Sequence, residues 1–152
     1  MATTLNAGTA TGGAAISADT TGILQLQSGS TPTTAVTIDA SQNLKFNSGY
    51  GSVATAYGCR AWVNFNGTGT PAIRASGNVS SITDNGTGDY TANFTNAMPD
   101  ANYAVVTNGS DLANSGRQSC PKAIAAGSVR VTTTDTPGLT IDYTYVGISV
   151  FR

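Results

Sequence analysis

The apolar residues of the first 56 positions are sparse and recur as pairs spaced two residues apart. The pairs are Leu24 and Leu26, Val36 and Ile38, and Leu44 and Phe46. Because side chains alternate between the two faces of a strand, each pair lies on one face of a short β-strand. Polar, turn-forming stretches separate the pairs, SGSTP at 28–32 and DASQN at 39–43. The pattern predicts short strands with one narrow apolar face.

A single copy of this segment has too little apolar surface to enclose those pairs. Fixing the backbone of one residue costs about 1–2 kcal/mol, whereas burying one large apolar side chain contributes about 1.5–3 kcal/mol. Self-association resolves the shortfall, because folding and oligomerisation then become one equilibrium. We expect residues 1–56 to form an intertwined β stem in which three copies turn the paired residues towards a common axis. The alternative is a flexible linker.

From residue 57 onward, alternating segments predict a run of antiparallel strands. They lie at 61–65, 72–75, 79–83, 90–94 and 103–107, around Val129 and Val131, and once or twice within 139–151. Asn-Gly, the strongest short hairpin signal, occurs at 66–67, 85–86 and 108–109. Residues 121–126 are a weak helical candidate and no segment has sustained helical periodicity. We predict an all-β chain in which residues 57–152 form an antiparallel β-sandwich-like domain.

The last strand is apolar on both faces beyond Tyr145. Val146, Ile148 and Val150 lie on one face, and Phe151 on the other. A strand of this kind is buried on both sides. In so short a chain we expect a subunit interface to supply the cover, and we assign Val146, Ile148 and Val150 to it together with Leu24, Leu26, Val36, Ile38, Leu44 and Phe46.

The composition disfavours catalysis. The chain has no histidine and no glutamate, so its eight carboxylate side chains are all aspartates. Histidine titrates near neutral pH and is the commonest metal ligand, and glutamate is a standard general acid or base. Asp84, Asp89 and Asp100 stand beside Asn, Gly or Pro, where aspartate hydrogen-bonds turns. We expect that the protein has no enzymatic activity and binds no metal or other cofactor.

Charge and hydropathy argue against nucleic acid and membrane as partners. A net charge of −1 without a basic cluster argues against nucleic acid. No apolar run approaches the roughly 20 residues of a membrane span, and the N-terminus lacks the pattern of a secretory signal. We therefore expect synthesis and assembly in a cytoplasm. Cys59 and Cys120 form either a disulfide or, as a reducing compartment favours, two thiols that are buried or half-buried.

The segment 107–127 is the candidate binding region. Its polar side chains suit hydrogen bonding to sugar hydroxyls, and irregular connections of this length in compact domains are usually functional. The receptor-binding candidates are Asn108, Ser110, Asp111, Asn114, Arg117 and Gln118. The alternatives are an ordinary surface loop or an unrecognised strand near Cys120.

Several stretches resemble bacteriophage fibre proteins. The sequences YGCRAWVNFNGTGT at 57–70, AIRASGNVSSITDNGTGDYTANF at 72–94 and AMPDANY at 97–103 are similar to the C-terminal region of tail fibres and related virion fibres of aquatic phages. The sequences GILQLQSG at 22–29 and AVTIDASQN at 35–43 resemble the stalk repeats of such fibres. Together these stretches cover about two-fifths of the 152 residues.

The resemblance implies a virion structural protein, typically a homotrimer. Its N-terminal part would attach to other virion proteins, and its C-terminal β domain would face outwards on the tail, baseplate or capsid surface. We expect attachment to host-surface polysaccharide through residues 57–152. The alternative is a purely structural capsid decoration, head fibre or baseplate component without a host receptor.

Overall fold

Every regular element of the described residues is a β-strand, which confirms the all-β prediction. The computed structural model describes residues 20–28, 31, 33–47, 52–111, 118–136 and 138–152, and within them it has thirteen strands and no helix. Residue contacts divide the chain into two units, Met1–Ala56 and Tyr57–Arg152. Each unit has its own sheets.

The first unit contains an antiparallel meander in the order β1-β2-β3-β4. Its strands are β1 (Leu24–Ser28), β2 (Thr33–Ile38), β3 (Leu44–Phe46) and β4 (Ala54–Thr55). The register opposes Leu24 to Ile38 and Leu26 to Val36. It then opposes Val36 to Phe46 and Ile38 to Leu44. Because directly opposed residues of paired strands share a face, all six apolar side chains lie on one face of this sheet.

We call these six residues the stem face. No strand among the described residues of the first unit forms a second layer over it. Its large side chains remain substantially accessible to solvent: Leu26 is 56% exposed, Leu44 49%, Phe46 44% and Ile38 42%. Half-exposed apolar residues gathered on one side of a sheet form a surface patch of the kind that marks an interaction site.

The turn between β2 and β3 is held by one carboxylate. The Asp39 Oδ1 atom accepts hydrogen bonds from the backbone N–H groups of Ser41 at 3.0 Å and Asn43 at 2.9 Å. The Asp39 Oδ2 atom lies 2.8 Å from Lys45 Nζ. The hydrogen bond from Lys45 is the largest cause that holds the pKa of Asp39 well below its usual range. Local polar contacts therefore hold the turn that joins β2 and β3.

The second unit consists of two antiparallel sheets. The first sheet has the order β6-β5-β13-β9, and the second has β10-β11-β8-β7 with β12 paired to β11. The strands are β5 (Cys59–Asn66), β6 (Ala72–Gly77), β7 (Val79–Asp84), β8 (Asp89–Phe94), β9 (Ala104–Ser110), β10 (Gln118–Ala125), β11 (Ser128–Thr136), β12 (Leu139–Thr140) and β13 (Tyr145–Phe151).

Both sheets of the second unit contribute side chains to one apolar core. The first sheet supplies Ala61, Val63, Phe65, Val146, Ile148 and Val150, and the second supplies Val79, Tyr90, Ala92, Phe94, Val129 and Val131. Between the sheets the Phe65 and Tyr90 rings meet edge to face, with centroids 5.2 Å apart. The second unit is therefore a β-sandwich, in which each sheet covers the apolar face of the other.

A buried polar network links the two sheets beside this core. The Tyr90 hydroxyl donates to Asp142 Oδ1 at 2.6 Å and also lies 2.9 Å from the carbonyl oxygen of Gly67. The Gly88 N–H donates to the same Asp142 oxygen at 2.7 Å. Burial, followed by the neighbouring Asp142, raises the pKa of Tyr90. The hydroxyl therefore stays protonated and serves as a hydrogen-bond donor.

A second polar cluster surrounds Asp89, which is only 8% exposed. Arg130 donates to both of its carboxylate oxygens, at 2.6 and 2.8 Å. Lys122 Nζ lies 2.6 Å from Oδ2. The hydrogen bonds from Arg130, opposed by burial and assisted by Lys122, lower the pKa of Asp89 to about 2. Three strands, β8, β10 and β11, are thereby tied together on one sheet.

Two local expectations from the sequence are wrong. The weak helical candidate at 121–126 lies mostly in β10, the outer strand of its sheet. An edge position tolerates Pro121, which has no N–H to donate. Asn108-Gly109, expected in a hairpin turn, lies inside β9. A Cβ atom at Gly109 would stand 2.3 Å from Cδ2 of the buried Tyr143, so close packing accounts for this glycine.

Val146, Ile148 and Val150, predicted to lie at a subunit interface, are buried in the core of their own chain. They are 0%, 3% and 0% exposed because the opposite sheet of the same chain covers them. The reason for placing a partner there, an apolar face without cover, no longer holds. The outward positions of the strand are Tyr145, Gly147, Ser149 and Phe151.

Cys59 and Cys120 are both free thiols. They lie on strands of different sheets, β5 and β10. Both are exposed, which differs from the buried or half-buried thiols expected from the sequence. The Cys59 thiol lies 3.4 Å from the carbonyl oxygen of Ala61.

The Asp89 cluster predicts a specific sensitivity to acid. Because the pKa of Asp89 in the fold lies below the roughly 3.9 of an unfolded aspartate, the ionised carboxylate stabilises the fold above about pH 4. That contribution disappears as the pH falls towards 2. We expect Asp89→Asn to lower the free energy of unfolding by about 1–3 kcal/mol at pH 7. The difference between variant and parent should shrink in acid.

Denaturant unfolding at pH 7, 4 and 2.5 measures both effects. Asp84→Asn is the matched control, since Asp84 is exposed and its oxygen accepts the Gly86 N–H at 2.9 Å, a bond that an asparagine oxygen can also accept. An Asp89→Asn variant as stable as the parent at pH 7 would contradict a stabilising cluster.

Candidate functional site

The outer face of the sheet β6-β5-β13-β9 presents polar and aromatic side chains. In β5 the inward residues are Ala61, Val63 and Phe65, so Trp62 and Asn64 point outwards. In β13 the same alternation turns Tyr145 and Gly147 outwards. Trp62 is 43% exposed and Tyr145 is 39% exposed. Aromatic rings are thus held at the surface by strands whose other faces lie in the core.

The register brings three of these strands together at one level. Gly147 lies opposite Asn64 on β5 and opposite Asn108 on β9. Two residues away, Ser149 lies opposite Trp62 and Val106. On the other side, Tyr145 lies opposite Ser110. Side chains remote in sequence therefore converge around a glycine.

Because Gly147 has no side chain, a neighbouring side chain can lie against its backbone. A Cβ atom there would stand 2.0 Å from Asn108 Oδ1, so the Asn108 amide occupies the space that a side chain would fill. Two depressions adjoin this point, with volumes of about 270 and 100 Å³. We call them together the Gly147 groove, lined chiefly by Trp62, Asn64, Asn108, Ser110, Tyr145 and Gly147.

Arg74 lies against this groove as a consequence of a β-bulge. The pairing of β5 with β6 shifts between Asn64 and Phe65, so that Arg74 is an extra residue in β6. Bulges of this kind redirect a side chain. The Arg74 guanidinium carbon lies 4.4 Å from the centroid of the Tyr145 ring, and its Nη1 lies 3.4 Å from Asn64 Oδ1. The cation is thus held over an aromatic face.

These groups are suited to recognition by hydrogen bonding and stacking. Each asparagine amide offers two donors and a carbonyl acceptor, and a guanidinium offers five N–H donors. Exposed aromatic faces add apolar contact area. Apolar surface with a few convergent polar groups is a feature of ligand-binding sites.

The structure brings only part of the predicted receptor site to this groove. Asn108 and Ser110 line it. Asp111 follows the end of β9, and Gln118 begins β10, an exposed strand of the other sheet. Asn114 and Arg117 lie outside the described residues. The expected long connection is also shorter than 107–127, because β9 and β10 include its two ends.

The sequence did not single out Trp62, Asn64, Arg74, Tyr145 or Gly147. The sequence did contain an indication of this surface. Trp62 and Asn64 are the outward residues of an alternating strand, and an outward-facing tryptophan suggests a binding partner. The convergence with Asn108 depends on which strands pair, and alternation within one strand does not reveal that.

The carboxylates of the second unit have structural partners. Asp100 Oδ1 accepts the Asn102 N–H at 2.7 Å, a turn role like that of Asp84. Within the part of the chain that the structure describes, there is no group of three or more His, Cys, Asp or Glu residues that could hold a metal ion. The described residues also include no helix long and apolar enough to cross a membrane.

Comparisons with known proteins identify no relative. No protein-family model, no curated protein and no solved structure matches this chain.

Alanine substitution at two neighbouring glycines should change the free energy of unfolding to different extents. Gly147→Ala should change the free energy of unfolding by less than about 0.5 kcal/mol, because the exposed Asn108 side chain can move aside. Gly109→Ala should cost about 1–3 kcal/mol, because its methyl group overpacks against the buried Tyr143 ring.

Denaturant unfolding gives both free energies, and the side-chain amide resonance of Asn108 reports its displacement in Gly147→Ala. Equal destabilisation by the two substitutions would contradict the assigned surroundings of these glycines.

Proposed function

We propose that this protein is a homotrimeric bacteriophage fibre protein. Residues 1–56 would form an intertwined stem that also attaches to other virion proteins, and residues 57–152 a head that binds host-surface polysaccharide. The fibre-like stretches of the sequence and the division into two units support this proposal. The observation that carries it is the exposed stem face.

The stem face needs a partner for a physical reason. In the second unit, each sheet covers the apolar face of the other. The stem face has no such covering layer among the described residues. Completing the burial of a half-exposed large apolar side chain contributes about 1 kcal/mol. The stem face has four such residues per chain, Leu26, Ile38, Leu44 and Phe46.

Two further copies of the same chain are the occupants we assign. The opposite face of the sheet has polar residues, Gln25, Thr37, Lys45 and Thr55, at the intervening positions of the register. Three identical sheets can turn their apolar faces towards a common axis and leave these polar faces in water. Closed cyclic symmetry then leaves no apolar face exposed.

The head supplies the adhesive function in this proposal. The Gly147 groove presents amides, a hydroxyl and aromatic rings on a rigid sheet, with Asn108 and Ser110 among them. Shallow sites bind single sugars weakly, but three linked copies on one fibre raise the effective affinity by 10²–10⁴-fold, on the order expected for multivalent binding. Attachment would therefore require no deep pocket and no catalysis.

Charge introduced into the stem face should separate the copies. Leu26→Asp would place three carboxylates around a common axis, each buried without a partner, a change that costs several kcal/mol. We expect sedimentation equilibrium to give a trimer for the parent and monomer for this variant at micromolar concentration. Gln25→Asp, on the neighbouring residue of the opposite face, should remain trimeric. A folded parent monomer at that concentration would exclude the stem as proposed.

Adhesion should depend on the groove. On an array of bacterial surface polysaccharides we expect the parent protein to bind and Asn108→Ala to bind at least about tenfold less, a loss of roughly 1.4 kcal/mol. Asn96→Ala, an exposed asparagine outside the groove, should bind as the parent does. A trimer that binds no polysaccharide would favour the structural alternative, a decoration or baseplate component whose contacts are all with virion proteins.

A further inference from the structure

We propose that the Gly147 groove recognises an acidic saccharide, whose anionic group binds Arg74 while its sugar rings lie along the groove. This inference rests on the proposed adhesive function and specifies its ligand. The anionic group is a carboxylate, as in a uronic acid, or a phosphate substituent; both present the oxygen pair that a guanidinium binds bidentately.

Arg74 differs from most other described cations in its surroundings. Lys45, Lys122, Arg130 and Arg152 each form an ion pair with an aspartate. Among the described residues Arg74 has no carboxylate within ion-pair distance; its contacts are the Tyr145 ring and a long 3.4 Å hydrogen bond to Asn64. Most of its five N–H donors therefore remain available to a ligand.

Two features of the fold position Arg74 before any ligand binds. The bulge in β6 determines where its backbone lies, and the Tyr145 ring supports one face of the guanidinium. A guanidinium that lies over an aromatic ring still has N–H groups directed away from the ring, and these can donate to a ligand. Preorganisation of this kind reduces the entropy that binding must overcome.

The described residues that line the groove are uncharged and include no aspartate. Asp111 follows Ser110 one residue beyond the strand. The amides of Asn64 and Asn108 can each donate and accept, which matches the hydroxyl groups of a sugar. An acidic sugar thus meets one cation and neutral polar groups.

The length of the groove suits more than one sugar ring. Its two depressions lie on either side of the Gly147–Asn108 contact, and Tyr145 and Ser149 are separated by about 13 Å of extended strand. At the end remote from Arg74 lies Trp62, whose indole packs against Gly77, where a Cβ atom would stand 2.4 Å from Nε1. This fixed, exposed ring provides an apolar surface for the face of a neighbouring sugar.

Matched polysaccharides test the inference with the full-length protein. The first probe is a set of uronic-acid-containing bacterial polysaccharides, each immobilised in its native form and after chemical reduction of its carboxyl groups. The second is a phosphate-bearing polysaccharide before and after removal of its phosphate. We expect the protein to bind at least one native form at least tenfold more tightly than its neutralised counterpart. The pair that shows this difference identifies the anionic group.

Variants assign the discrimination to Arg74. Arg74→Gln should abolish the preference for the acidic form, whereas Arg60→Gln, an exposed arginine of β5 that does not line the groove, should retain it. Gly147→Ala, which displaces the Asn108 amide without changing charge, should weaken binding of both forms. Circular dichroism confirms that each variant is folded.

Two outcomes would overturn the inference, and they differ in what they leave standing. Equal binding of acidic and neutralised forms, unchanged in Arg74→Gln, would refute the acidic ligand while adhesion stands. Absence of binding to every polysaccharide would refute the adhesive function as well, whereas the trimeric stem is decided separately by sedimentation.

Discussion

A β-sheet built from alternating strands has one apolar face, and that face must be covered. The second unit meets this requirement within one chain, because two sheets place Phe65, Tyr90, Val129, Val146 and their neighbours in a shared core. The first unit has the same alternation but a single sheet among its described residues, so Leu26, Ile38, Leu44 and Phe46 remain half exposed. This difference in cover is the reason for proposing that the first unit is a self-associating stem.

Alternation within a strand was readable from the sequence, whereas the partner of each strand was not. In Ala61–Phe65 and Tyr90–Phe94, inward-facing and outward-facing residues alternate so regularly that the sequence predicts both the strand and its inward face. Val146, Ile148 and Val150 show the limit of this reasoning. Their apolar character required cover, but only the topology reveals that the cover is the opposite sheet of the same chain. Asn108-Gly109 is a second example. The dipeptide is typical of hairpin turns, but here Gly109 lies in a strand, where the Tyr143 ring leaves no room for a side chain.

In the candidate site, polar and aromatic groups from separate strands lie together on one sheet. Asn64, Asn108 and Gly147 come from three strands that are far apart in sequence and adjacent in the sheet. Polarity alone selected Asn108 and Ser110, since both belong to a conspicuously polar segment. It could not select Gly147, whose contribution is an absent side chain, or Arg74, whose placement depends on a bulge. The inward faces of the same strands supply the rigidity that holds these groups in place.

The central claim is that identical copies cover the stem face, and amide hydrogen exchange at different protein concentrations tests it most directly. The account predicts that amides of β1, β2 and β3 are protected in the concentrated protein and lose protection on dilution as the oligomer dissociates. The amides of β5, β8, β11 and β13 should stay protected throughout, because their core lies within one chain. Equal protection of β1–β3 at every concentration, in a protein that sediments as a monomer, would contradict the claim.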